Sequence, residues 1–339
     1  MKKWLFFLLV GMVAYFGCHR NPLKVDVSDI DAKVKIVRFE RELFEPSVDS
    51  VIASVPRFRK EYPLFFRRFL QLINVGQPGS QVFDQYFRLF ITDDLNREVY
   101  RKVMEVYPDV HELEKKLTSA FKHYRYYFPE KDVPRIYTYI SGFNASLLID
   151  EGILGIGLDR YLGKDVVWYD RLGIPKYMQR KMVPEKIPSD CMYALASTEF
   201  PFAPPGDTVV TENVINRMIY EGKLLYFVKA MMPDEKDEVI AGFTPEQMKW
   251  CRENEAPMWA YLIEQKLLFK TDYMTMNKLT RDAPFTSYFP RESPGRAANW
   301  LGWQIVRRYM ERHKEVTLSE LMSETNYQKI LDGSAYDPH

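Results

Sequence analysis

The sequence predicts an α+β protein: a predominantly helical single domain around a small antiparallel sheet. Three observations carry that reading. Apolar residues recur at helical spacing through two long blocks, residues 57–127 and 187–322. Between the blocks, residues 135–158 are rich in β-branched and aromatic side chains and are punctuated by Gly and turn residues. The chain has 339 residues, 46% of them apolar and 27% charged, with 22 Phe, 22 Tyr and 6 Trp. Such a chain fills a large core without disulfides or metals.

Taken in order, Val34–Phe39 alternates as a first strand does. Helices follow over Arg57–Ile73, Gln81–Phe90, Asp94–Val106 and Asp109–Tyr127, the last opened by an Asp109/Glu112 capping box. Pro129 and Pro134 close this block. Arg135–Ile140, Ser146–Ile149 and Ile153–Leu158 read as strands, with hairpin-turn chemistry at Asp150-Glu151-Gly152. Gly155 and Gly157 mark close strand packing rather than a phosphate loop. A polar loop, Asp159 to Asp165, follows. Helices resume over Ile187–Ser197, Thr208–Met232, Thr244–Phe269, Ala297–Arg312 and Leu318–Met322. Thr244-Pro245-Glu246-Gln247 and Thr317 with Glu320 are helix-start signals. Ala298 and Gly302 are four apart and let another helix approach closely, which makes 297–312 a central core helix. Lys270–Glu292 reads as a long aromatic loop. There are no internal repeats.

The N-terminus reads as a targeting segment. Lys2 and Lys3 precede an uncharged apolar run from Trp4 to Phe16, shorter than the roughly 20 residues a bilayer span needs. Gly17-Cys18 ends it and resembles a bacterial lipobox, although Tyr15 and Phe16 stand where Leu and a small residue are usual. The expected organisation is a signal peptide over 1–17, a tether over 18–32 anchored by lipid on Cys18, and a globular domain over 33–339. An ordinary or uncleaved secretory signal is the alternative. Cys191 and Cys251 fit a disulfide or two buried thiols equally.

Charge is balanced, 47 basic against 46 acidic residues, and losing Lys2 and Lys3 leaves 45 against 46. Together with the absence of a basic stripe or zinc-finger spacing, that argues against a nucleic-acid partner. The five histidines, His19, His111, His123, His313 and His339, never fall four apart. Twelve residues of helix hold His111 and His123 about 18 Å apart, too far to share an ion. No metal or cofactor is expected. There is no nucleophile elbow, nucleotide loop or His-Glu-x-x-His, so no catalytic residue is assigned and the chain reads as non-enzymatic.

One carboxylate interrupts an apolar stripe. Val210, Val214, Met218, Glu221, Leu225 and Val228 follow each other in steps of four and three. A buried carboxylate needs a partner. Arg217, one turn back, supplies one as an ion pair; a cavity lined by Glu221 that takes a ligand or metal is the other reading. Arg296, in the first turn of the 297–312 helix, can hold an anion or pair with a carboxylate, with Glu292 and Glu324 as candidates.

Several segments carry a family resemblance. Tyr161-Leu162-Gly163-Lys164-Asp165, Gly242-Phe243-Thr244-Pro245-Glu246-Gln247 with Trp250, and Glu292-Ser293-Pro294-Gly295-Arg296 with Trp300, Gly302-Trp303-Gln304-Ile305-Val306 and Tyr309 resemble the gliding motility lipoprotein GldB family. Arg38-Phe39-Glu40 and Tyr127-Phe128-Pro129 fit as well, so the resemblance spans nearly the whole chain in order. It implies an acylated (palmitate-bearing) lipoprotein of Bacteroidota, held at an envelope membrane and acting through an unidentified protein partner or assembly. The residues after Cys18 are basic, which points to the periplasmic face. The alternatives are an envelope hydrolase using Glu221 and a peptide- or glycan-binding module using the 270–290 aromatics. A more distant similarity, to predicted zinc-dependent proteases, would place Glu221 at a third ligand position and imply a degenerate zincin-like fold. The helix that would bear the histidines, Ser189 to Ala196, has none.

Overall fold

The computed structural model describes residues 21–203, 206 and 210–339. The signal segment and Cys18 lie outside the described residues. So does Thr208, the expected start of one helix. The fold is α+β, mostly helical, around one small sheet.

Strand β1 (Ile36–Arg38) leads into seven helices: α1 (Phe39–Phe44), α2 (Val48–Ala53), α3 (Val55–Glu61), α4 (Pro63–Leu72), α5 (Phe83–Thr92), α6 (Asp94–Val106) and α7 (His111–Tyr127). The expected 57–73 helix is two helices, because Tyr62 leaves the helical region ahead of Pro63. The expected capping box at Asp109 is absent. Asp109 accepts from the His111 amide, outside a helix that starts at His111. The core of this half is aromatic. Phe39 lies edge-on to Phe58, Phe65 and Phe69, each at 5.2 Å, and Phe65 stacks on Tyr137 of the sheet at 4.0 Å.

The sheet adds β2 (Arg135–Tyr139), β3 (Leu147–Asp150) and β4 (Ile153–Gly157). The hairpin at Asp150-Glu151-Gly152 forms as expected, with Gly152 at φ 70°. The sheet is not purely antiparallel. Its order is β1-β2-β4-β3, and β2 pairs in parallel with both β1 and β4. The loop after β2 carries the chain past the place of β4, so β3 becomes the outer strand and β4 returns between them. Gly155 and Gly157 are required there: a Cβ on Gly155 would sit 2.8 Å from the Tyr139 ring, and one on Gly157 2.3 Å from the Ala145 carbonyl oxygen. The edge of β1 is not bare, since the Ile36 amide donates to Glu114 and the Val34 amide just before it to Thr118, both on α7.

The segment Asp159–Asp165, expected as a polar loop, begins as a buried 3-10 turn (Leu158–Arg160). Asp159 is fully buried, and its Oδ2 accepts from the Ser141 and Phe143 amides at 2.9 and 2.7 Å. That carboxylate fixes the loop that sends β3 to the outside.

After α8 (Val167–Arg171) and α9 (Lys176–Gln179), α10 (Ile187–Glu199) lies against β3 and β4 and against α11 (Val214–Met231). Then come α12 (Asp237–Ala241), α13 (Pro245–Glu253), α14 (Glu255–Glu264), α15 (Tyr273–Thr280), α16 (Ala297–Arg312), α17 (Leu318–Ser323) and α18 (Tyr327–Ser334). The expected 244–269 helix breaks at Asn254, and the expected 270–292 loop contains α15. Both Thr-led capping boxes form, at Thr244/Gln247 and Thr317/Glu320. Cys191 and Cys251 are free, buried thiols. Helices α11 and α16 cross at the centre of this half, as the Ala298/Gly302 spacing predicts.

Candidate functional site

Helix α11 is buried on nearly every side, so its apolar stripe does not single out one core face. Only Asn216, Arg217, Glu221 and Lys229 are partly open. Arg217 and Glu221, one turn apart, share one strip, yet they are not an ion pair. Arg217 pairs with Glu212 and lies over the Phe202 ring at 4.4 Å. The Glu221 carboxylate accepts a hydrogen bond from the Tyr193 hydroxyl of α10. Burial raises the Glu221 carboxyl above its ordinary range, and the Tyr193 hydrogen bond and the nearby Arg296 and Arg217 charges oppose the rise. The Tyr193 phenol is pushed well above its usual value, first by burial and then by the Glu221 charge.

Arg296 belongs to the same cluster. It caps α16 in the left-handed region, φ 53°, and its guanidinium turns back to the end of α12. Nη2 donates to the Ala241 carbonyl at 2.7 Å and Nε faces Asp282 at 3.1 Å. Its carboxylate is therefore Asp282, not Glu292 or Glu324. Glu292 is exposed, and Glu324 binds Lys329. Lys181 meets the other Asp282 oxygen at 2.7 Å. Burial works to raise Asp282, but the Arg296 and Lys181 charges outweigh it and hold the carboxyl low. Burial, helped by Arg296, lowers Lys181.

A third group completes the arrangement. Lys186 pairs with Asp190 at 3.1 Å and donates to the Ile240 carbonyl, and Tyr161 donates to Asp190 at 3.0 Å. Gly242 sits between the three cations: a Cβ there would lie 3.0 Å from Arg296, 3.1 Å from Lys181 and 3.4 Å from Lys186. Tyr161, Gly242 and Arg296, from three motifs far apart in sequence, thus converge on one place. Sequence reasoning did not find Tyr193, Asp282, Lys181, Lys186 or Asp190. Tyr193, Asp282 and Lys181 are joined to the cluster by contacts that no local spacing encodes, whereas Lys186 and Asp190 stand four apart, a spacing the sequence does show.

Three cations face three carboxylates. Lys186 Nζ also lies 2.9 Å from the Ser189 hydroxyl, a distance that a Ser/Lys nucleophile pair would use. Here Ser189 is buried and donates to a backbone carbonyl, while Lys186 is tied to Asp190. No group of three or more His, Cys, Asp or Glu side chains with metal-holding geometry occurs among the described residues. Nor is any helix among them long and apolar enough to cross a membrane.

Fold and site together define a helical α+β protein with a charge-compensated cluster between its sheet half and its helical half. A family model described as gliding motility protein GldB matches residues 20–338, and the chain belongs to that family. No curated protein and no solved structure matches it.

Proposed function

We propose that this gliding-motility-related protein is a lipoprotein of the cell envelope, acylated on Cys18, facing the periplasm and acting without catalysis through a protein partner. The observation that carries the partner reading is a surface one. Phe269, Tyr273 and Met274 are the most exposed large apolar side chains described, at 64%, 66% and 63%, and they fall within six residues of each other beside exposed Ile263. Soluble surfaces rarely gather such side chains without a use for them. The neighbouring aromatics Phe285, Tyr288 and Phe289 are half-buried or buried, so they present no stacking platform for a sugar.

The test replaces the chromosomal copy with the double variant Phe269→Ser, Met274→Ser. Gliding should fall while protein level and membrane attachment stay as in the wild type. Unchanged gliding would remove the patch from the function. Incorporation of a palmitate analogue, present in the wild type and lost in Cys18→Ser, tests the anchor.

A further inference from the structure

Residues 21–36 form a strap. Its side chains alternate: Asn21, Leu23, Val25 and Val27 turn partly inward and Ala32, Val34 and Ile36 fully inward, while Lys24, Asp26, Lys33 and Lys35 face water. The strap runs antiparallel to α7. The Tyr127 hydroxyl donates to the Leu23 carbonyl, Lys122 to the Ser28 carbonyl, and Thr118 and Glu114 receive the amides of Val34 and Ile36. At its head, Asn21 Nδ2 donates to the Pro233 carbonyl at 3.2 Å and Lys24 pairs with Asp234 at 2.6 Å. The strap therefore begins where the C-terminal ends of α7 and α11 meet.

Cys18 lies three residues before Asn21, and three residues span about 10 Å at most. An acyl chain on Cys18 must enter the bilayer close to that pole. The other end of α11 is set by the Val214 and Ile215 amides, which donate to the carbonyls of Lys270 and Leu268. Eighteen helical residues put those two ends about 27 Å apart. Phe269, Tyr273 and Met274 belong to the far end.

We infer that the pole formed by the C-terminal ends of α7 and α11, bearing Lys24, Tyr126 and Asp234, rests against the lipid bilayer, and that the Phe269–Met274 patch stands at the opposite pole, facing the aqueous compartment. The inference rests on acylation of Cys18. Tyr126 suits an interface: its ring is 47% exposed and lies edge-on to Tyr127 at 5.0 Å beside the strap. Apolarity alone would have chosen the Phe269 patch for the bilayer; the length of the strap decides against it.

The experiment uses the full acylated chain in phosphatidylethanolamine/phosphatidylglycerol vesicles that contain a headgroup-nitroxide lipid. A fluorophore is placed on Asp234→Cys or on Met274→Cys; the buried thiols of Cys191 and Cys251 do not compete. Quenching should be several-fold stronger at 234 than at 274. Equal or stronger quenching at 274 overturns the inference and lays the patch on the bilayer. A protein that floats with the vesicles but is quenched at neither position overturns it too, because the pole then stands clear of the membrane. Failure to float, or equal flotation of Cys18→Ser, sinks the acylation reading itself, and flotation separates that result from the other two.

Discussion

Gly222 of α11 and Gly302 of α16 meet backbone to backbone. A Cβ on Gly302 would lie 1.8 Å from the Met218 carbonyl oxygen, and one on Gly222 2.3 Å from the Gly302 carbonyl. Neither helix can give way alone, since both are buried through most of their length. Gly302→Ala should therefore destabilise the domain by about 3 kcal/mol or more. Ala298→Gly, on the same helix, removes only a methyl and should cost about 1 kcal/mol through helix propensity and lost packing. Urea denaturation of the pair decides the point: similar losses would show that the crossing tolerates separation.

Lys223 gives a pH signature. It is 2% exposed, and its Nζ donates to the carbonyls of Met322 and Glu324, where α17 runs out of helical partners. Burial depresses the ammonium to about 7. The unfolded chain holds that proton up to about pH 10.4, so between the two values it binds more protons than the folded chain. Stability from this group is present at high pH and is lost as pH falls toward 7. Between pH 7 and pH 9 the wild type should gain up to about 2 kcal/mol relative to Lys223→Met. Parallel stability curves for the two proteins would refute the depressed ammonium.

Asp159 has the opposite sign. Burial raises its carboxyl to about 6, against the pull of the Phe143 and Ser141 amides, while Oδ1 has no partner. The folded chain binds the extra proton between about pH 4 and pH 6, so stability falls as pH rises through that window. Asp159→Asn keeps an acceptor for both amides and should abolish this slope, with stability at pH 7 equal to or above the wild type. Asp159→Ala strands the two amides and should cost about 3 kcal/mol. A wild-type slope that survives in Asp159→Asn would assign the titration to another group.

What the sequence discloses and what it hides follow the range of the interactions. Most local signals read correctly: the Thr244 and Thr317 boxes, the turn at Gly152, and the spacing of Ala298 and Gly302; the Asp109/Glu112 box did not form, because the helix starts two residues later, at His111. Strand order did not, because it depends on Asp159 reaching back to Ser141 and Phe143, and a buried carboxylate in a polar-looking run gives no pattern. The site behaved alike. Glu221 is visible as a charge in an apolar helix and Arg296 as a charge at a helix start. Their partners, Tyr193 and Asp282, come from other elements and follow no period. Arg217, the near neighbour, was the wrong partner because Glu212 and the Phe202 ring hold it on the solvent side.

That partner exchange bears on whether Glu221 holds a metal. A carboxylate ligand needs its lone pairs free and other anionic or imidazole donors beside it. Glu221 instead accepts from a phenol, with the Arg296 and Arg217 charges close by. A divalent cation placed there would meet repulsion from Arg296 and would have to displace the Tyr193 hydrogen bond. Elemental analysis of residues 25–339 should therefore find no stoichiometric zinc in the wild type or in Glu221→Gln. The substitution should leave the fold intact, because the amide oxygen still accepts from Tyr193. Zinc in the wild type that disappears in Glu221→Gln would sink the non-catalytic reading and bring hydrolysis to the front.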